Sequence, residues 1–325
     1  MTSNGTATDF LVPWAAHAWT IVPNLLHAAR ARLPPAAEPW STTLDDPRIG
    51  TLTLHGELRR EVGPYAKHCV VVVHGLGGSI DRPYCIQAAL AAQRAGLSCL
   101  RVSLRGADRR GEDFYHAGLS VDIAAAIASP ALASFDRLYV LGYSLGGHVT
   151  LHYALQAIDP RVRAVAAVCA PLDLDLSALH IDGRGAALYR RHVLAGLKEI
   201  YAAVAAKHTV PTPLRIATAA RRIRDWDRLT VVPRFGFESV EAYYATQSVG
   251  PRLAELTRPA LLVQSSVDPM VPPWTYERHL ARTLPQLSVR RLRAGGHVAF
   301  PRLLGADGSA KRWLEDQILD WFCTQ

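Results

Sequence analysis

The sequence predicts an α/β fold: a mostly parallel central sheet flanked by helices and interrupted by one helical insertion. Three observations carry this reading. Short apolar runs rich in β-branched residues alternate with helical patterns over most of the chain. Most of those runs are continuously apolar, which marks strands covered on both faces, as in a parallel sheet. The alternation breaks once, from Pro171 to about Leu256, where no strong strand pattern appears.

Taken in order, the elements begin with an apolar N-terminal stretch, Phe10 to Ala29, interrupted by Pro13, His17, Pro23, Asn24 and His27. A membrane span needs about 20 mostly apolar residues, and a signal peptide needs a basic start and a small-residue cleavage site. The stretch satisfies neither pattern. It is expected to dock on the body of the protein or to touch a membrane loosely, with the cytoplasm as the default compartment. "IGTLTLHGEL" (Ile49 to Leu58) alternates like a half-buried strand. "CVVVVHG", "LSCLRVSLRG", "RLYVLGYS", "RAVAAVCAP", "PALLVQSS" and "LSVRRLRAGG" read as buried strands ending in turn residues. Helices are expected over Pro83–Arg94, Leu119–Ala128, Leu145–Ile158, Thr275–Leu284 and Ala310–Phe322. Leu188, Leu194, Leu197, Tyr201 and Val204 mark an amphipathic helix within the insertion. Residues 171–256 are therefore read as a helical cap on a core made of residues 1–170 and 257–325. Open α/β sheets place ligands at the carboxyl ends of their strands, where such an insertion is expected to lie.

A chain of 325 residues, 49% hydrophobic and 20% charged, has ample material for such a core. Its five cysteines are scattered, odd in number and without a C-x-x-C pair, which argues against a disulfide framework and a zinc site and fits a reducing compartment. Net charge is +8 with a pI near 9.4. Eleven Lys and Arg against four Asp and Glu fall between His180 and Arg234, so the excess is regional. It lacks the interleaved aromatics of a nucleic-acid module, and no nucleic-acid partner is expected. The region is either a solvated helix face or a surface that draws anionic substrates or an anionic membrane.

The chemistry begins at "LGYSLGGH", Leu141 to His148. A serine hydroxyl is a poor nucleophile unless a base takes its proton and donors hold the resulting oxyanion. Here an apolar strand ends in Gly142 and a helical pattern begins at Leu145, so Ser144 falls on a sharp strand–turn–helix elbow. Such backbone strain costs about 1–3 kcal/mol, and the flanking glycines clear the neighbouring strand and helix. "HGLGGSIDRP" gives a second element: a buried strand running into an exposed glycine-rich loop. Backbone N–H groups of Leu76 and Leu145 are the expected oxyanion donors. The missing G-K-[ST] argues against a phosphate loop, and the glycine spacing excludes dinucleotide binding. His74 is expected to pack or to orient the loop.

Asp268, in a Pro-rich turn after "ALLVQSS", and His297, after two glycines at the end of "SVRRLRAGG", supply an acid and a base. His297 would take the Ser144 proton and Asp268 would fix the imidazole. Asp173, after the strand "AVAAVCAP", is the alternative acid. His148 and His152 lie one helical turn apart but lack an adjacent glutamate and a third ligand, so no metal is expected. Asp122 and His116 either brace the site or cap and charge a helix start.

These motifs together resemble the YheT-like branch of the α/β-hydrolase fold, which is related to the membrane-anchored abhydrolase-domain esterases of animals. The resemblance spans nearly the whole chain: "HGLGGSIDRPY", "LRG", "YHAG" with Asp122, "GYSLGG", "RRIRDWDRLT" leading to "FESVEAYY", "VDPMVP" and "GGHVAF". "AHAWTIVP" is similar to the family's H-x-Q-T-x-x-P segment, with Trp19 where glutamine is usual, and "SLRGADRRGED" departs from its R-G-x-S-G wording. The resemblance implies carboxylic-ester hydrolysis without a cofactor, and its Ser, Asp and His positions coincide with Ser144, Asp268 and His297. The expected activity is that of a serine hydrolase on small uncharged or lipophilic acyl esters, through an acyl-serine intermediate. Acyl transfer to an alcohol or thiol, and a non-catalytic binding protein on the same fold, are the alternatives.

Overall fold

The computed structural model describes residues 13–29, 33–302 and 311–325. Phe10, at the start of the N-terminal apolar stretch, and Ala310, the expected start of the last helix, lie outside the described residues. Eight strands form one sheet: β1 (Glu38–Asp46), β2 (Gly50–Arg59), β3 (His68–Val73), β4 (Ser98–Val102), β5 (Arg137–Tyr143), β6 (Val162–Val168), β7 (Ala260–Ser265) and β8 (Leu287–Leu292). Their order is β1-β2-β4-β3-β5-β6-β7-β8. β1 and β2 pair antiparallel, as do β2 and β4, and every later pairing is parallel.

"VVVV" in β3 shows why the central strands read as continuous apolar runs. Val70 and Val72 face one core with Tyr139 and Leu141, whereas Val71 and Val73 face the other with Leu138 and Val140. Successive side chains alternate faces, and here both faces are covered. The edges obey a different rule. β1 buries only Trp40 and Asp46, so it lacks the apolar signature and went unpredicted. β8, expected as a buried strand, buries only Leu287 and Leu292 because it has a neighbour on one side.

The first four helices are α1 (Trp14–Ala29), α2 (Pro83–Arg94), α3 (Val121–Ala128) and α4 (Leu145–Ala154). Between β6 and β7 come α5 (Leu174–Asp182), α6 (Ala187–Ala205), α7 (Leu214–Ala217), α8 (Ile223–Leu229), α9 (Val231–Phe235) and α10 (Val240–Gln247), and α11 (Leu314–Cys323) follows β8. The expected helix to Ile158 stops at Ala154, and residues 155–161 form a turn and irregular chain that leads into β6. No α-helix covers Thr275–Leu284. Two short 3-10 turns, Pro273–Thr275 and Glu277–Leu280, stand there, and from the second Arg278 and His279 reach Asp173. Among the described residues no helix is long and apolar enough to cross a membrane. Four cysteines are buried, whereas Cys323 is exposed.

Between β6 and β7 the described residues form helices and turns without a strand. α6 buries Tyr189, Val193, Leu194, Leu197, Ile200, Tyr201 and Val204 along one stripe. Leu188, expected on that stripe, is instead 63% exposed. α6 crosses the loops at the carboxyl ends of β3 and β4. At the crossing Gly196 lies against Gly77 (φ +65°), and a Cβ on Gly196 would collide with the Gly77 backbone. Arg105, fully buried after β4, ties several elements together. It pairs with Asp46 at 2.7 Å, Asp122 at 2.8 Å and Asp113 at 3.3 Å, while Arg234 of α9 reaches Asp113 at 2.9 Å. Breaking such a buried network by removing one partner typically costs about 3–5 kcal/mol.

Candidate active site

Ser144 stands between β5 and α4 with φ 53° and ψ −123°, a left-handed conformation that L side chains rarely adopt. Its neighbours explain how that geometry is held. The Ser144 N–H donates to the Val168 carbonyl at 2.8 Å, tying the elbow to β6. A Cβ at Gly142 would strike the Gly146 carbonyl oxygen, and one at Gly146 would strike the carbonyl oxygens of Val73 and His74. Glycine is thus required on both sides of the serine by close backbone approach.

Asp268 and His297 converge on this elbow from the carboxyl ends of β7 and β8. His297 Nε2 lies 2.8 Å from Ser144 Oγ, and Nδ1 lies 2.8 Å from Asp268 Oδ2. Asp268 Oδ1 accepts the backbone N–H of Met270 at 2.7 Å and of Val271 at 3.0 Å. Burial alone would raise the Asp268 carboxyl, but the imidazole and these N–H donors outweigh it and hold the group below the ordinary carboxylate range. Asp268 is fully buried and ionised at neutral pH, so it favours the His297 tautomer whose Nδ1–H donates to it. Cys169, at the end of β6, sits beside both groups. Burial, then the Asp268 charge, pushes its thiol well up, so it remains protonated.

Thr20 of α1 supports the base. Its Oγ1 accepts the His297 backbone N–H at 2.8 Å and donates to the Ala16 carbonyl at 2.8 Å. A Cβ at Gly296 would collide with the same helix, at the Ala16 carbonyl. A second contact, His17 Nδ1 to the Tyr189 hydroxyl at 2.6 Å, joins α1 to α6. α1, the described part of the N-terminal apolar stretch, therefore docks on the body, as the first of its two expected roles requires. Thr20 itself was missed; its position in "AHAWTIVP" was the available signal.

The loop after β3 lies against the serine, since a Cβ on Gly75 would sit 3.1 Å from Ser144 Cβ. Two tyrosines shape it: the Gly75 N–H donates to the Tyr84 hydroxyl at 3.1 Å, and the Gly77 N–H to the Tyr115 hydroxyl at 2.7 Å. Burial pushes the Tyr115 phenol up to about 12, so its hydroxyl keeps its proton. His74 orients the loop: Nδ1–H donates to the Gly75 carbonyl at 2.9 Å, and Nε2 accepts from the Leu104 N–H at 3.2 Å. Burial pulls His74 down to about 4, which keeps it neutral. Among the described residues the N–H groups of Leu76 and Leu145 have no acceptor, which leaves both available to a ligand.

The remaining residues singled out by the sequence fall elsewhere. Asp173 caps α5 through the Leu176 N–H at 3.0 Å and pairs with Arg278 and His279, away from His297. His148 lies between the carbonyls of Pro171 and Gln247, and His152 faces Ser120 and Gln156. Asp122 serves the Arg105 network, and His116 packs among Phe235, Phe237 and Tyr243.

Ser144 and His297 open into a cavity of about 550 Å³ beneath the helices between β6 and β7. Leu174, Ile181, Val193, Leu197, Val231 and Met270 give it a mainly apolar wall. Leu25 of α1 and Leu188 of α6 also line it, and each is 63% exposed, so they stand at its rim.

Comparison with known proteins gives consistent results. Residues 69–301 match a family model described as the alpha/beta hydrolase fold. YheT of Escherichia coli (strain K12), named as an esterase, is 30% identical over 267 residues, covering 78% of this chain and 76% of that protein. Medium-chain fatty acid ethyl ester synthase/esterase 2 of Saccharomyces cerevisiae is 24% identical over 282 residues, covering 78% of this chain and 61% of that protein. Among solved structures, the 2,6-dihydroxy-pseudo-oxynicotine hydrolase superposes with a TM-score of 0.56 at 17% identity, covering 89% of this chain and 67% of that one. At that identity the likeness speaks to the fold.

Proposed function

The chain belongs to the α/β-hydrolase family, and from that premise we propose that it is a serine hydrolase that cleaves small uncharged or lipophilic carboxylic esters. The observation that carries the proposal is the continuous Ser144–His297–Asp268 hydrogen-bond chain, 2.8 Å at each link, with Ser144 on a strained elbow facing an apolar cavity. In this reading His297 Nε2 takes the Ser144 proton as Oγ attacks the ester carbonyl. The N–H groups of Leu76 and Leu145 receive the oxyanion. His297 then returns the proton to the leaving alcohol, and the acyl group stays on Ser144. Water, deprotonated by the same imidazole, releases the acid and restores the serine. Asp268, held by two backbone donors, fixes the imidazole and stabilises its cationic form. Residues 171–256 act as a cap on the hydrolase core of residues 1–170 and 257–325, covering the acyl-binding cavity.

The esterase name of the Escherichia coli relative supports ester hydrolysis. One observation favours a second reading: the yeast relative is named both synthase and esterase. In that reading an alcohol replaces water in the second half-reaction. Product analysis separates the two. With a p-nitrophenyl ester and added ethanol, the free acid is expected to dominate; a predominant ethyl ester would assign the chain to acyl transfer.

A further inference from the structure

The cavity wall holds polar groups that chemistry at Ser144 does not use. Asp227 of α8 lines the cavity and is 9% exposed. Its hydrogen-bond partner among the described residues is the Tyr244 hydroxyl of α10, 2.6 Å from Oδ2. Among the described residues no cation pairs with it. Arg224, three residues earlier, is engaged by Asp175 and by Glu241 at 2.6 Å, and its guanidinium lies 5.2 Å from the centre of the Tyr244 ring. The neighbouring Asp182 of α5 is occupied by the N–H groups of Ile223 and Arg224 at 2.7 and 3.1 Å, where it caps α8. Burial, with a small push from Asp182, therefore raises the Asp227 carboxyl to about 7, against the weaker effects of Tyr244 and Arg224. Ser177 of α5 lines the same cavity, and its Oγ is buried without a hydrogen-bond partner among the described residues.

These groups are costly to keep. A buried unpartnered hydroxyl is unfavourable, and a carboxyl in an apolar wall is more so. Nor does packing need them, since Leu174, Ala178, Ile223 and Trp226 already join this part of the insertion to the core. Their common property is that they face the space into which Ser144 opens. The charge state selects the ligand. A substrate anion would be repelled once Asp227 ionises, and a substrate ammonium would require a full charge pair in a mostly apolar cavity. A hydroxyl can donate to the Asp227 carboxyl and accept from a neighbouring O–H, so it is satisfied whether or not Asp227 is protonated.

We propose that Asp227, Tyr244 and Ser177 form a subsite that binds a hydroxyl carried by the substrate away from the scissile ester, so that hydroxylated acyl esters are preferred over plain alkyl ones. The proposal rests on Ser144 being the ester-cleaving nucleophile, and the test keeps the two apart. The full chain is assayed with p-nitrophenyl decanoate, with hydroxydecanoates substituted at successive positions, and with an aminodecanoate. Wild type is expected to favour at least one hydroxylated ester by tenfold or more in kcat/KM. Asp227→Leu should abolish that preference, the ratio of kcat/KM for hydroxylated to plain ester falling to about one. Asp227→Asn, which retains a partner for Tyr244, should keep most of it. Ser177→Ala removes an Oγ that has no partner among the described residues, so it should fold normally and weaken the preference. Turnover of plain esters with no hydroxyl preference at any position, or the same preference in Asp227→Leu and Ser177→Ala as in wild type, overturns the subsite alone. A preference for the amino ester overturns it in favour of a cation site. No hydrolysis of any ester overturns the serine-hydrolase reading and this inference together.

Discussion

Replacing Thr20 with valine tests whether α1 positions the base. The two side chains have nearly the same shape, so the substitution removes one hydroxyl from a position 6% exposed. That hydroxyl accepts the His297 N–H and donates to the Ala16 carbonyl, both at 2.8 Å. In the variant the buried His297 N–H has no acceptor, a defect of about 1–3 kcal/mol. The loop can relieve it only by shifting, and the imidazole moves with the loop. Since 1.4 kcal/mol of lost transition-state stabilisation is tenfold in rate, kcat/KM should fall by roughly 5- to 140-fold. The loss should fall mainly in kcat, because Thr20 affects the base more than the cavity volume. Steady-state kinetics on a p-nitrophenyl ester, with the melting temperature followed by circular dichroism, reads both effects. Thr20→Ser restores the acceptor and should return kcat/KM to near the wild-type value. Wild-type kinetics in Thr20→Val, or equal damage in Thr20→Ser, would refute the positioning role.

Two further outcomes follow from the same geometry. Glu315 of α11 is buried with the Tyr143 hydroxyl 3.3 Å away, and burial raises its carboxyl from 4.5 to about 7. The folded chain then holds a proton that the unfolded chain releases, so this group's contribution to stability declines as pH rises from 4.5 through 7. The full gap corresponds to on the order of 3 kcal/mol. Glu315→Gln should therefore unfold at higher urea than wild type at about pH 8 and at nearly the same urea at about pH 4.5; an advantage that does not grow with pH contradicts the assignment. Leu25 and Leu188 are exposed at the cavity rim, Arg191, Arg221 and Arg222 are exposed on the same insertion as Leu188, and we propose that these groups meet an anionic membrane. The chain should sediment with anionic vesicles at low salt and less with neutral ones or at high salt. Binding indifferent to lipid charge and salt would exclude that contact.

The central strands were legible because both faces are buried: β3 to β7 leave an apolar signature that needs no tertiary knowledge. β1 left none, since an edge strand with two buried side chains looks like a polar loop. The Thr275–Leu284 helix failed for the opposite reason. A reasonable local pattern there gives way to two short turns whose Arg278 and His279 meet Asp173, about 105 residues away in sequence and invisible to a local reading. In the site, Ser144, Asp268 and His297 were each marked by a strand running into a turn, so their positions could be read locally. Thr20 could not be, because it meets His297 across 277 residues. Asp227 was hidden differently: an acid in a charged helix reads as a solvated face, and only the packing of α5, α8 and α10 turns it into the cavity.

The most direct test of Ser144 as the nucleophile is covalent labelling of the intact chain with a fluorophosphonate, followed by mass analysis of its peptides. One adduct is expected, on the peptide containing Ser144, lost in Ser144→Ala and strongly slowed in His297→Ala while both variants remain folded. A folded wild-type chain that stays unlabelled, or that carries the adduct on another residue, would contradict it.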